Sequence, residues 1–243
     1  MDKVLVERRL YATRTEAQEC IDKGFVFVNG IAANKKTSLV AESDSISITA
    51  ARTYVSRGGE KLEGILMDTY QSKEAIQKAV DGSAVLDVGS STGGFTDCLI
   101  QYGAAHVDAV DVGTEQLHTS LRGDARIDLY EQTDIRTFVP TSSYDYIVGD
   151  LSFISLREVF QVLYNFGNEA TKYFLLVKPQ FEVGFGNTKK GIVKDLHIVH
   201  ETISSLRRDA ESIGFVVTDL RECKIQGGDG NQEYFFVMKK GGV

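Results

Sequence analysis

One ten-residue stretch limits the fold of this 243-residue chain more than any other. Asp87-Val88-Gly89-Ser90-Ser91-Thr92-Gly93-Gly94-Phe95-Thr96 leaves an apolar run at 84–88 and enters a helical pattern at 93–102. Glycine reaches backbone conformations closed to other residues and lets a ligand come close to the main chain. The first turn of a helix offers N–H groups with no partner inside the helix. Strand, glycine loop and helix in this order open a doubly wound α/β sheet.

The remainder continues that alternation. Further strands are expected at 107–111, near Tyr130-Glu131, and at 144–150, 173–178, 215–220 and 234–239. Helices are expected at 155–166 and 197–213. In the last of these, Val199, Ile203, Leu206, Ala210 and Ile213 recur at helical spacing. The fold class that follows is α/β, a mostly parallel seven-stranded sheet with helices on both faces. Residues 1–50 have another rhythm. A helix at 13–23 precedes a β run at 25–28, an Asn29-Gly30 hairpin turn, a return at 31–33 and a third strand at 45–48. This is a small α+β domain. Residues 51–57 read as a connector and 58–243 as the second domain. There Gly58-Gly59 stands ahead of a helix at 60–70 with Leu62, Ile65, Leu66 and Thr69 on one face.

Charge and cysteine usage exclude several classes. Net charge is −7, with a slight basic excess before residue 60 and an acidic balance after it. A polyanion would therefore have to find local basic positions. The longest apolar runs are about five residues, against the roughly 20 that a membrane span needs. The charged first ten residues lack the apolar core of a secretory leader. Cys20, Cys98 and Cys223 are far apart and form no CxxC, so neither a disulfide framework nor a metal site is expected. A cytoplasmic location fits.

The ligand of the glycine loop follows from its spacing. A dinucleotide fingerprint needs glycine at position 91, where this chain has serine. Asp87 would sit poorly beside a diphosphate but suits the cationic amino-acid end of S-adenosylmethionine (AdoMet). Asp111, in Ala109-Val110-Asp111-Val112-Gly113, ends the next strand, where a carboxylate can accept both ribose hydroxyls of an adenosine. Asp134, after the third strand, can meet an adenine amino group. The candidate AdoMet contacts are Asp87, Gly89, Ser90, Ser91, Thr92, Gly93, Gly94, Phe95, Asp111, Val112, Asp134 and Asp150.

A second constellation lies at the strand ends. Lys178 ends the fifth strand, and Asp150 ends the fourth. They adjoin if those strands pair, and the carboxyl ends of strands are where open α/β sheets bind ligands. A lone strand-end lysine ordinarily reaches out to water. One beside a carboxylate above a ligand loop is a candidate for chemistry. Taken singly, Lys61 reads as a solvated helix residue and Glu233 as a polar residue ahead of an apolar strand.

Several stretches resemble a known family. They are Tyr54-Val55-Ser56-Arg57-Gly58-Gly59-Glu60-Lys61-Leu62, the loop at 87–98, Asp111-Val112-Gly113, Asp150-Leu151-Ser152-Phe153-Ile154-Ser155-Leu156, Val177-Lys178-Pro179-Gln180-Phe181-Glu182 and Gly230-Asn231-Gln232-Glu233. The second domain resembles the FtsJ-type 2′-O-methyltransferases, which carry a Lys-Asp-Lys-Glu tetrad. The whole chain resembles the TlyA, or haemolysin-A-like, rRNA methyltransferases, which join an S4 RNA-binding domain to that fold. The S4 likeness runs through Val4-Leu5-Val6-Glu7-Arg8, Thr13-Arg14-Thr15-Glu16-Ala17 and Phe25-Val26-Phe27-Val28-Asn29-Gly30. The resemblance implies a catalytic set of Lys61, Asp150, Lys178 and Glu233. It also implies AdoMet as cofactor and 2′-O-methylation of a cytidine in ribosomal RNA, in the large subunit with the small subunit as a second substrate. Ribosomal RNA or a ribosomal subunit is the implied partner, with neither DNA nor a membrane. RNA contacts would come from Arg8, Arg14, Lys35, Lys36, Arg57, Lys189 and Lys190. The basic residues usual before the first S4 helix are nearly absent. Rival readings are an RNA-binding protein with an inactive methyltransferase fold, a membrane-lysing protein, and a small-molecule methyltransferase, which has no use for the S4-like segment.

Overall fold

Asn29 and Gly30 take φ of +51° and +80°, the left-handed pair that a two-residue hairpin turn requires. They join β1 (Val26–Val28) to β2 (Ile31–Ala32), and β3 (Ile46–Ile48) pairs antiparallel on the other side of β1. Helices α1 (Asp2–Glu7) and α2 (Arg14–Asp22) precede this small sheet. Leu5, Ala17, Cys20, Ile21 and Val26 form its core. The buried Asp2 carboxylate ties the two helices by accepting from Arg14 and Gln18, which holds it well below the usual carboxylate range. Helix α1 was not expected, because six residues are too few for a periodic signal.

The computed structural model describes residues 1–243 apart from 23, 24, 34, 42, 49–53, 185, 190, 229 and 243. The chain divides into two units, Met1–Arg52 and Thr53–Val243. Residues 54–57, read above as part of a connector, belong to the second unit. Tyr54 is buried in its core, and the Val55 N–H donates to Asp97 at 2.7 Å.

The second unit opens with α3 (Arg57–Tyr70) and α4 (Lys73–Val80). Then come β4 (Ala84–Val88), α5 (Gly94–Gln101), β5 (His106–Val110), β6 (Ile127–Tyr130) and β7 (Tyr146–Gly149). A 3₁₀ turn (Leu156–Glu158), α6 (Phe160–Phe166), β8 (Lys172–Val177), α7 (Pro179–Glu182), α8 (Leu196–Ile213), β9 (Phe215–Glu222) and β10 (Tyr234–Lys240) complete it. The seven strands lie in the order β6-β5-β4-β7-β8-β10-β9, all parallel except β10. The expected mostly parallel sheet is present. The expected single helix at 155–166 is instead a 3₁₀ turn, capped by Ser155 through Arg157 N–H, followed by α6.

Alternation along the strands builds a core on each face. Tyr173, Leu175 and Val177 pack on one side with α6 and α8, whereas Phe174 and Leu176 pack on the other with α3, α4 and α5. Gly58 and Gly59 do not precede α3 but lie inside it. A Cβ on Gly59 would meet Tyr54 at 2.4 Å and the Gly94 carbonyl at 2.8 Å. These glycines let α3 press against the start of α5, which brings Lys61 to the sheet edge. Among the described residues, no helix is long and apolar enough to cross a membrane.

Candidate active site

The loop after β4 is shaped by backbone that side chains resist. Gly89 has φ +78° and Gly93 +88°, and Ser91 stands at +47°. A Cβ on Gly93 would lie 2.5–2.6 Å from methyl carbons of Leu121 and Leu117. The loop wraps a small crevice of about 80 Å³ lined by Asp87, Gly89, Ser90, Thr92, Phe95 and Asp150, among others. A space of that volume has room for a small polar group rather than for a whole nucleoside.

Asp87 is the main electrostatic feature of the crevice. It is fully buried. Its Oδ2 accepts from Thr96 N–H (2.9 Å) and Thr96 Oγ (2.6 Å), whereas its Oδ1 has no partner among the described residues. Burial pushes its carboxyl up to about 7, with the nearby Asp150 and Asp111 adding to the shift. An orphan acid oxygen beside a glycine loop fits a cationic ligand group. Asp111 accepts from Ser91 N–H (2.8 Å) and Gly113 N–H (2.6 Å), so it anchors the loop. Val112 is exposed. Asp134 lies next to Thr133, whose N–H donates to the Asp111 carbonyl. Its carboxylate is engaged by the Arg136 guanidinium at 2.6 Å, which holds it below the usual range.

At the same edge stand two lysine–carboxylate pairs. Lys178 Nζ is 2.6 Å from Asp150 Oδ1 and donates to Ser152 Oγ at 2.8 Å. Lys61 Nζ donates to Glu233 Oε2 at 2.6 Å, and this second pair is buried. Register connects them. Tyr234 pairs with Val177, so the next positions, Glu233 and Lys178, adjoin. Likewise Gly149 pairs with Val88, which sets Asp150 beside Gly89. Alternation puts Asp87, Asp150, Lys178 and Glu233 on the sheet face that α3 covers.

The loop before β10 is built around Glu233. A Cβ on Gly227 would lie 2.5 Å from Glu233 Oε1, so a side chain there would displace the carboxylate. The buried Asn231 accepts from Val193 N–H (3.0 Å) and donates to the Gly191 carbonyl (2.9 Å), joining this loop to the one after α7.

Most of the basic positions expected to meet RNA are already engaged. Arg8 donates to the Ala41 and Asp44 carbonyls, Arg14 pairs with Asp2 and Lys36 with Asp22. Arg57 donates to the Gln226 carbonyl. Lys35 and Lys189 are exposed, and Lys190 lies outside the described residues. The sequence reading missed Phe153. Its ring is 90% exposed, its φ is +64°, and it packs on Phe181 at 5.0 Å between centroids. A bulky residue in left-handed backbone is a true outlier, and such strain gathers at functional sites. Its place three residues after Asp150 was the available signal.

A parallel sheet with one reversed strand and a glycine loop at the strand ends defines a Rossmann-like methyltransferase fold. The FtsJ-like methyltransferase family model matches residues 54–240, and the S4 domain model matches residues 1–46. The chain belongs to the FtsJ-like methyltransferase family, in the group with a leading S4 domain that includes the TlyA proteins. TlyA of Mycobacterium tuberculosis, named a 16S/23S rRNA (cytidine-2′-O)-methyltransferase, is 38% identical over 98% of this chain and 89% of its own. TlyA of Campylobacter jejuni, named a 23S rRNA (cytidine-2′-O)-methyltransferase, is 34% identical over 97% of each chain. A solved structure from Streptococcus thermophilus, described as a candidate hemolysin, has a TM-score of 0.75 at 33% identity. It covers 99% of this chain and 87% of that one.

Proposed function

We propose that this protein methylates the 2′-hydroxyl of a cytidine ribose in ribosomal RNA, using AdoMet, in the cytoplasm. The target is large-subunit RNA, with the small subunit as a second substrate. The observation that carries this reading is the pair of lysine–carboxylate contacts at the same strand-end edge as the glycine loop.

AdoMet, when bound, supplies an electrophilic methyl carbon. Gly89, Ser90, Ser91, Thr92, Gly93, Gly94 and Phe95 would hold it, with Asp87 facing its ammonium group and Asp111 its ribose. Val112 and Asp134 would border the adenine. A ribose hydroxyl is a poor nucleophile while it keeps its proton. Lys178 either accepts that proton or, as a cation, steadies the developing negative oxygen. Asp150 and Ser152 hold Lys178 in place. Lys61 and Glu233 offer a donor and an acceptor to the ribose, and alignment of the reacting atoms supplies much of the rate. The 2′-hydroxyl also separates RNA from DNA. Mapping ribose methylation in ribosomal RNA with and without the protein, in cells and with purified components, is the test. Appearance of the mark on a base, or its absence, overturns the proposal.

Asp87 makes AdoMet affinity depend on pH. Between about pH 4 and about 7 the folded protein keeps a proton on Asp87 that the unfolded chain has lost. Stability of the ligand-free protein therefore falls as pH rises through that window. A cationic ligand favours the ionised acid, so binding releases a proton and affinity rises from pH 6 to 7.5. Calorimetry in buffers of different ionisation enthalpy reads the released proton. The Asp87→Asn variant is expected to bind weakly with no such pH dependence, and an unchanged pH profile in that variant removes Asp87 from the ligand site.

Phe153 offers an exposed ring to an unstacked base. Base–aromatic stacking contributes about 1–3 kcal/mol per base. Relief of left-handed strain, about 1–2 kcal/mol, offsets the loss of the Phe181 contact and the added chain entropy of glycine. Phe153→Gly is therefore expected to lose more than about tenfold in methyl transfer while its melting temperature stays close to that of the parent. A variant with full activity shows that the ring does not touch the substrate.

A further inference from the structure

A cleft of about 770 Å³ in the second unit lies apart from the site above, between α7 and α8. Its walls continue the strands that carry the lysine–carboxylate pairs. Glu182 ends α7, which begins immediately after Lys178. Arg157 stands in the 3₁₀ turn that follows Asp150. The charges of these walls are already satisfied. Arg157 bonds Asp209 at 2.6 Å and Ser205 at 3.1 Å, and it lies 3.4 Å from Glu182. Glu182 also accepts from Ser155 Oγ (2.6 Å) and Leu156 N–H (2.8 Å).

The face that α8 turns to this cleft is different. It carries His200, Ser204 and Arg208. Among the described residues, none of the three has a side-chain hydrogen-bond or ion-pair partner. Their four-residue spacing aligns them along one side of the helix, over about 12 Å at 1.5 Å per residue. The acids beside the stripe on α8 have partners of their own: Glu201 lies 3.6 Å from His197, Asp209 is 2.6 Å from Arg157 and Glu211 is 2.7 Å from Arg207. An imidazole, a hydroxyl and a guanidinium in a row are hydrogen-bond donors suited to phosphate oxygens. The cleft is open rather than enclosed, which suits a strand more than a small molecule. An acidic protein that handles a polyanion needs such a local row.

Resting on the RNA reading above, we propose that His200, Ser204 and Arg208 form a track for the phosphate backbone of the RNA strand flanking the target nucleotide. The strand would run along α8 toward the edge that holds Lys178. This surface belongs to the second unit and does not include Lys189.

Titration of a ribosomal RNA fragment that the parent protein methylates tests the track. Arg208→Ala is expected to raise the Kd and KM for RNA about fivefold near 0.15 M salt. It should also lower the slope of log K against log salt by about 0.7–0.9. Arg208→Lys is expected to recover the salt slope, because the charge is restored, and AdoMet affinity is expected to stay unchanged in both. Ser204→Cys carrying a photo-crosslinker gives a positive readout, because Cys20, Cys98 and Cys223 are buried. An adduct on RNA within a few nucleotides of the methylated ribose supports the track. Unchanged Kd and salt slope in Arg208→Ala and His200→Ala, with a methylating parent, overturn this inference alone. Absence of any RNA adduct from Ser204→Cys, with a methylating variant, does the same. A parent protein that methylates no RNA overturns the functional reading and this one together.

Discussion

Lys178→Ala is expected to abolish methyl transfer, by about a thousandfold or more, while AdoMet still binds. The geometry separates the two effects. Lys178 is held from the side by Asp150 and Ser152, and it does not line the crevice formed by the glycine loop. As proton acceptor or as cation, it acts on the hydroxyl, and alanine ends both roles. Its removal leaves the Asp150 carboxylate, 24% exposed, without its cation, so a lowered melting temperature is expected and transfer is compared at a temperature where the variant is folded. The measurement is transfer of labelled methyl groups into RNA, alongside calorimetric AdoMet binding. Turnover within tenfold of the parent would remove Lys178 from the chemistry. Loss of AdoMet binding would assign it to the ligand site instead.

The second large effect is expected at the Lys61–Glu233 pair, and here stability and activity separate in another way. The two side chains are 8% and 3% exposed and 2.6 Å apart. Removing one partner strands a charge in the interior, which destabilises by about 3–5 kcal/mol. Against a typical domain stability of roughly 5–15 kcal/mol, Lys61→Met alone is expected to leave a poorly folded protein. Replacing both, as Lys61→Met with Glu233→Leu, removes the stranded charge and should restore most of the melting temperature. If the pair serves the ribose, the double variant folds and does not methylate. Methylation by the double variant would reduce the pair to a structural contact.

Parts of this site were legible in the chain because their signals are short-range. The glycine loop, Asp87, Asp111, Asp150 and Lys178 sit at strand ends, and strand ends are marked by apolar runs a few residues long. Glu233 carried a signal that a stricter use of alternation would have found. It precedes Phe235 and Val237 on the same face, as Lys178 follows Phe174 and Leu176. Lys61 stands four residues before Ile65, on the buried stripe of α3, so a lysine there was already out of keeping with a solvated face. Only the resemblance to the methyltransferase family drew attention to either. Phe153 was missed because an exposed aromatic has no periodicity, and its left-handed backbone has no sequence mark except in glycine.

The order of the strands and of the longer helices, the two-part organisation and the glycine loop were determined by the sequence alone. They rest on periods of two and 3.6 residues and on turn chemistry, all local properties of the chain. The tertiary structure alone decided the reversal of β10 and the approach of Gly59 to Gly94. It also decided the meeting of Lys61 with a carboxylate 172 residues away, and which cations remain free for a polyanion. Such contacts join segments with no spacing in common. They arise when burial of both sheet faces selects one register, so no local pattern can encode them.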